Sequence, residues 1–539
     1  MGAYNSRRMA DEDSNMSQSE TGSESDSDLE MPRNYAHFLQ SLISSGQVHI
    51  MTNDYDNYYG PSLPKINHKP NTSTLDSSEF SFLTKQASGL MDLRKKDFVR
   101  ERNVTRMLQN RERGMHAQGF SRGNKCKIFN RYIPNEMSVL GECTGKVFCG
   151  IFSPDGNCFV TASQDRHIRL YNSGDGSYKL FKSLRARDVG WSIIDVAFSR
   201  DQQHFVYSTW SSSCKFLLVY SIGVSYELCI AVHVCSVDSD NHQEPLSLVN
   251  SGRRFCVFSI VYSSDSRELL SGANDGCLYI YDLTTRSSVL KIPAHEYDVN
   301  SVVFADDSSH IIYSGGDDGL IKVWDRRTMD ESSPKSVGVL AGHMDGITFI
   351  DSRGDGRHLI SNSKDQSIKL WDVRVFSGGA RRRKIPQSGA GPDVGLQVAG
   401  MYSSRTKLEG DTSIMTYRGH VVIKTLVRCR FSPAETTGQR YIYTGCGMGR
   451  VIVYDALTGK MKGDINGHVA CVRDVSWHPT RNEILSSSWD GMVGKWYYTR
   501  DEAADDGDGL LGLDKLDYVN SPPLRRSLRL ALKKRKETT

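Results

Sequence analysis

Residues 313–327 read YSGGDDGLIKVWDRR, and residues 359–374 read LISNSKDQSIKLWDVR. Each phrase is a strand carrying a small hydroxyl, a tight turn carrying an aspartate, and a second strand ending in Trp-Asp-x-Arg. Ser314, Asp318 and Trp324 are matched by Ser361, Asp365 and Trp371. In both copies the aspartate stands four residues and the tryptophan ten residues beyond the serine. A unit of two strands and a turn that recurs at about 40 to 45 residues is the signature of β-propeller blades.

Working outward, the same offsets pick out Thr161, Asp165 and Tyr171, then Ser271, Asp275 and Tyr281, and finally Ser486, Asp490 and Trp496. Two further blades are degenerate. One, around residues 192–221, has an enlarged turn before Tyr220. The other has Thr444 and Tyr454, with Met448 in place of the turn aspartate. The strand-end aromatics therefore fall at 171, 220, 281, 324, 371, 454 and 496, and the two long gaps, before 281 and before 454, mark insertions. Seven blades over residues 127–498 are expected. A propeller must close without leaving an open sheet edge. The alternating segment KIFNRYI, residues 127–133, is the expected closing strand.

The rest of the chain is polar. Residues 1–30, centred on SQSETGSESDSDLE, cannot bury enough apolar surface to order themselves and read as a disordered, modifiable tail. Residues 31–126 read as linker with short amphipathic helices at 35–42 and 98–107, which either pack on the propeller rim or dock a partner. The intervening NTSTLDSSEFS reads as plain linker. The Gly-rich run around Arg381, Arg382, Arg383 and Lys384 is expected to be a mobile connection on the face of Arg374. Residues 499–539 form a second disordered tail, acidic and then basic. Arg525-Arg526 and the cluster 533–536 are spaced like a bipartite nuclear-import signal, so residence in nucleus and cytoplasm is expected.

Composition narrows the function classes. A net charge of +4 over 539 residues gives no field that calls for nucleic acid. Twelve cysteines without a CxxC pair read as buried thiols of a reduced, intracellular protein. No apolar run is long enough to span a bilayer, and no secretory signal core opens the chain. Gly2 and Ser6 fit the myristoylation pattern, but one acyl chain anchors only marginally, so no membrane role is expected.

His295, His343, His420 and His468 each precede a strand aromatic by 28 to 34 residues. Joined to a hydroxyl, an aspartate and a tryptophan, such a histidine makes a buried tetrad whose polar groups satisfy one another. The expected sets are His295, Ser314, Asp318 and Trp324; His343, Ser361, Asp365 and Trp371; and His468, Ser486, Asp490 and Trp496. Because each histidine has local partners, metal binding is not expected. The glycine-rich residues 445–449 lead into a strand rather than a helix, which removes a dinucleotide reading. No nucleophile elbow, P-loop or metalloprotease motif is present, so neither catalysis nor a cofactor is expected. Arg327 and Arg374 end equivalent strands of adjacent blades. They should share one face, where two planar guanidinium forks make a docking patch.

These endings carry a resemblance. Residues 312–327 and 359–374 resemble the DWD box of WD-repeat receptors that bind the damaged-DNA-binding (DDB) adaptor of cullin-4 ubiquitin ligases. FCGIFSPDG, SGANDGCLYIYD, AGHMDGITFID, IMTYRGH, ACVRDVSWHP and SSSWDG, in that order, are similar to the DDB- and cullin-4-associated factor eleven group and its plant LEC-type relatives. The resemblance implies an all-β, seven-bladed WD-repeat propeller acting as a ligase substrate receptor. It further implies Asp325, Arg327, Asp372 and Arg374 as adaptor contacts, with protein substrates it does not name. A non-ligase scaffold of a nuclear complex is the alternative, since many WD-repeat proteins carry Trp-Asp-x-Arg without using it. A close-packed polar cluster in the central channel would instead favour an enzyme.

Overall fold

The computed structural model describes residues 70–91, 108–109, 112, 120–210, 215–218, 225–237, 243–249, 255–378, 408, 410–423 and 425–500. The Gly2 pattern, both polar tails, the helices expected at 35–42 and 98–107, Tyr220 and the basic run 381–384 lie outside the described residues.

Seven antiparallel sheets succeed one another along the chain as seven blades. Strands a, b and c of each blade are buried on both faces, because the core lies between successive blades rather than inside any one. In blade four, strand b, Ile311–Gly316, is buried at every position but the first. The outer strand d is wetter, as in Ser287–Pro293 of blade three. Each strand-c tryptophan packs against the preceding blade. Trp324 joins Leu270, Leu278 and Ile280 of blade three, and Trp371 joins Tyr313, Ile321 and Val323 of blade four. The turn between strands b and c has a fixed shape: the residue five beyond the hydroxyl is left-handed in six blades. Glycine stands there at 276, 319, 449 and 491, and Arg166 and Gln366 take the same conformation at φ 66 and 67°. A Cβ on Gly276 would lie 2.5 Å from the His295 carbonyl oxygen.

Closure comes from the N-terminal side, but through a different segment than expected. Strand Glu136–Glu142 supplies the fourth strand of blade seven and pairs with Met492–Tyr497, with Glu136 opposite Tyr497 and Met137 opposite Trp496. KIFNRYI begins instead as the last turn of a helix, Arg122–Phe129, which Ser121 caps by accepting from the Asn124 N–H at 3.3 Å. Short runs fit periods of 2 and 3.6 equally well. The true closing strand is an outer edge, mostly wet on both faces, so its sequence carries no alternation to read.

NTSTLDSSEFS is not a linker. It forms α1, Ser73–Asp76, and the start of α2, Glu79–Ala87, with Ser78 as N-cap. Leu75 and Phe80 are fully buried among residues of blades five and six. The composition is polar, but two apolar anchors are enough once a groove awaits them.

Blade two also differs. The residue of its strand c opposite Phe205 is Cys235, so Cys235 takes the slot that holds an aromatic elsewhere, and the enlarged turn is an extra hairpin, Lys215–Leu218 paired with the front of Ser225–Ser236. Ten cysteines among the described residues are unbridged. No described helix is long and apolar enough to cross a membrane.

Candidate functional site: the Trp-Asp-x-Arg ends and the tetrads behind them

The three tetrads assemble with one geometry. His295 Nδ1 stands 2.9 Å from Asp318 Oδ2 and Nε2 2.8 Å from Ser314 Oγ, which also accepts from Trp324 Nε1 at 2.9 Å. The His343 set repeats this at 2.9, 2.7 and 2.8 Å with Asp365, Ser361 and Trp371. The His468 set does so at 2.9, 2.7 and 2.8 Å with Asp490, Ser486 and Trp496. The carboxylate can only accept, so the histidine Nδ1–H is donated to it, while the serine oxygen accepts from the tryptophan and is shared with Nε2. Burial raises the Asp490 carboxyl, but the hydrogen bond from His468 overrides it and holds the group at about 2. Asp318 and Asp365 are depressed in the same sense. The tetrad thus locks each of the three strand-c tryptophans and, in blades four and five, the Asp-x-Arg immediately beyond.

Those strand ends are the docking candidate. In blade four the chain leaves strand c, Ile321–Asp325, through a 3-10 turn, Arg326–Thr328. Asp325 accepts from the Arg327 backbone N–H at 3.1 Å, from Nε at 3.0 Å and from Nη2 at 2.7 Å. The Arg327 hydrogen bonds hold this carboxyl at about 2. The guanidinium is fixed from behind, yet the side chain is 64% exposed. Arg326 turns the other way and pairs with Glu268 of blade three.

Blade five ends differently. Asp372 Oδ2 is taken by Arg357, at 2.9 Å from Nη2 and 3.2 Å from Nε. Arg374 reaches the same oxygen only at 3.3 Å and shares Glu79 of α2 at 3.4 Å. Glu79 also pairs with Arg357. Arg374 remains 59% exposed. All four expected contact residues therefore stand on the face of the a–b and c–d turns of adjacent blades. Glu79 and Arg357 join them. A readable signal existed for Arg357: it stands 15 residues before Asp372, as Arg440 stands before its partner Asp455 in blade six.

His420 builds no tetrad. It contacts Tyr454 Oη at 3.1 Å and Asn362 of blade five at 2.9 Å, and burial lowers its pKa to about 3, so it stays neutral. Met448, at the aspartate's place, is half exposed.

The central channel does contain a polar cluster. Arg428 bonds Asp195 at 2.6 Å and Asp474 at 3.1 Å, and Arg430 bonds Asp474 at 2.6 Å. A cavity of about 290 Å³ adjoins it. These charges neutralise one another across blades two, six and seven. Neighbouring Cys149 has its thiol pushed up to about 12 by burial, so it stays protonated. The arrangement braces the channel rather than presenting a nucleophile beside a base. No three His, Cys, Asp or Glu side chains converge to hold a metal among the described residues.

Comparison with known proteins agrees with this geometry. The WD domain, G-beta repeat (WD40) matches residues 135–172, 246–282, 286–325, 334–372 and 459–496. The matches pass over blades two and six, the two in which the offsets of hydroxyl, turn aspartate and strand-end aromatic are degenerate. LEC14B protein of Lithospermum erythrorhizon is 40% identical over 404 residues, 75% of this chain and 84% of its own length. A LEC14B homolog of Prunus armeniaca is 38% identical over 430 residues, covering 79% and 86%. A DDB1- and CUL4-associated factor 11 homolog of Caenorhabditis elegans is 40% identical over 411 residues, covering 71% and 67%. A single seven-bladed scaffold, read blade by blade and matched over most of its length, places this chain in the WD-repeat family of the LEC14B proteins and the DDB1- and CUL4-associated factor 11 homologues.

Proposed function

We propose that the chain is a substrate receptor of a CUL4–DDB1 ubiquitin ligase, docking to DDB1 through Asp325, Arg327, Asp372 and Arg374 and presenting protein substrates from the rest of its surface. The observation that carries this reading is the pair of Trp-Asp-x-Arg ends. Two guanidiniums are held by carboxylates on adjacent blades, stay largely exposed, and stand on strands locked by buried tetrads. Preorganised arginines are favoured hot spots, since little side-chain entropy is lost on binding. The Caenorhabditis relatives, named DDB1- and CUL4-associated factor 11 homologs, support the same partner. The role is non-catalytic: the chain positions a substrate while other subunits transfer ubiquitin. The basic residues 525–536 support work in the nucleus as well as the cytoplasm.

The test is capture of DDB1 by the full-length chain and by an R327D/R374D double variant. Both side chains lie on the surface, so the variant should melt with the wild type. Truncating an interface arginine hot spot costs about 2 kcal/mol or more, and charge reversal adds repulsion, so capture should fall at least about thirtyfold. A folded double variant that captures DDB1 at wild-type levels would favour a non-ligase WD-repeat scaffold.

A further inference from the structure

The face opposite the arginine ends carries the d–a and b–c loops, and there the molecule exposes aromatic rings. Trp191 is 49% exposed and Trp210 39%. They meet edge to face at 5.7 Å, and the row continues to Phe148 at 5.2 Å and to Phe258 at 5.8 Å. The two tryptophans are held rigidly. The Trp210 carbonyl accepts from the N–H groups of Gly190 and Trp191 at 3.0 and 3.2 Å, and the Trp210 N–H donates to Ser192. Nothing in the blade's packing requires these rings to be in water. Exposed tryptophan pairs on a rigid frame are the residue type that anchors partners.

The surrounding charge selects the partner. Trp210 is bridged to Cys256, whose thiol is raised by burial and by the charge of nearby Asp298. The Asp298 carboxylate is half buried and has no hydrogen-bond donor or ion-pair cation among the described residues. Its pKa is raised to about 6 by that burial and by Asp317, against the weaker pull of Lys364. The link to the tryptophans runs through neighbouring loops of this face: the Cys256 carbonyl accepts from the Asn274 N–H, and in that same turn a Cβ on Gly276 would lie 3.1 Å from the carbonyl oxygen of Tyr297, the residue before Asp298. A carboxylate without a paired cation, on the same face as exposed tryptophan rings, fits a basic segment laid across it, through Coulomb attraction at one point and the ring quadrupole at another. The same face already shows such a contact within the chain, with Lys146 Nζ 4.5 Å from the Trp489 ring centre.

We infer that Trp191, Trp210 and Asp298 form a docking surface for a basic segment of a partner protein, one carrying an arginine or lysine next to an apolar side chain. If the receptor reading holds, this partner is the substrate, bound on the face away from DDB1.

The experiment titrates the full-length protein with a fluorescent peptide alternating Arg and Leu, and with counterparts in which Glu replaces Arg or Ser replaces Leu. The Arg–Leu peptide should bind best. W191A/W210A should weaken it by about tenfold or more, and D298N by about threefold with a shallower salt dependence. Equal binding of the Glu–Leu peptide, no binding of any peptide, or indifference to W191A/W210A overturns the assignment. Should the double variant melt early, Asp298→Lys decides alone, and unchanged binding there overturns it. DDB1 capture is read on the same samples. Loss of peptide with DDB1 retained supports the surface, whereas a wild type that binds peptide but not DDB1 sinks only the receptor reading.

Discussion

Blades four and five end on the same phrase, Trp-Asp-x-Arg, and the structure finishes it in two ways. Asp325 serves Arg327 alone and grips it at Nε and Nη2. Asp372 still takes the Arg374 backbone N–H at 3.0 Å but gives its other oxygen to Arg357 first, so the Arg374 guanidinium is left with one longer contact and a share of Glu79. The choice is made 15 residues upstream, where blade four has His310 and blade five has Arg357. The middle residue matters as well. Arg326 reaches across to blade three, whereas Val373 packs into the core beside Trp371. Identical local words thus yield one self-contained arginine and one tied to the N-terminal helices. A docking face built on both would sense whether α2 is seated.

The comparison breaks most strongly if α2 is released. Phe80 is fully buried, 5.4 Å from the His358 ring, with Arg353 over its face at 4.7 Å. Phe80→Ala should cost about 3 to 5 kcal/mol and detach α2, leaving Arg374 to Asp372 alone while Arg327 is unmoved. Thermal melting measures the loss; a cost below about 1 kcal/mol would show that Phe80 does not anchor the helix.

A smaller effect separates the two tetrads. Asp365 is 1% exposed and accepts from His343, the Met344 and Ser367 N–H groups and Ser367 Oγ. Asp318 is wetter, accepting from His295 and the Leu320 N–H. Asp365→Asn should therefore cost about 3 kcal/mol and Asp318→Asn about half that. Both carboxyls are depressed on folding, so their contribution is full above the unfolded value of about 3.9. It is lost as pH falls through the folded values, of which the matching Asp490 shows about 2. Wild-type stability should drop from about pH 4 downward, and less steeply in Asp365→Asn. Denaturant titrations at pH 4 and pH 2 measure this; an equal loss of unfolding free energy in the wild type and in Asp365→Asn would contradict it.

The smallest change sharpens the comparison directly. Arg357→His gives blade five the upstream residue of blade four. Asp372 should then clamp Arg374 at Nε as well as Nη2, at a stability cost of about 0.5 to 1 kcal/mol for the lost, partly buried pair. The readout is slowed exchange of the Arg374 Nε proton toward that of Arg327; unchanged exchange would place the cause elsewhere.

The sequence by itself determined the blades, because a blade is local. Hydroxyl, turn aspartate and tryptophan lie within ten residues of one another, and the histidine within a further twenty, so their offsets survive as written pattern. The same locality makes Arg327 and Arg374 legible as equivalent strand ends. Tertiary structure alone decided everything that crosses between distant segments. The closing strand pairs across more than 350 residues and lies wet at an edge, so burial imposed no alternation on it. Leu75 and Phe80 sit in a polar stretch, and their groove belongs to blades five and six, some 280 or more residues away. Cys235 replaced an aromatic in blade two because position there is set by strand pairing, after a hairpin had displaced the count. The claim of Arg357 on Asp372 is legible at its offset of 15 residues, but the share of Glu79 comes from a helix outside the repeats, and no offset within one repeat encodes that.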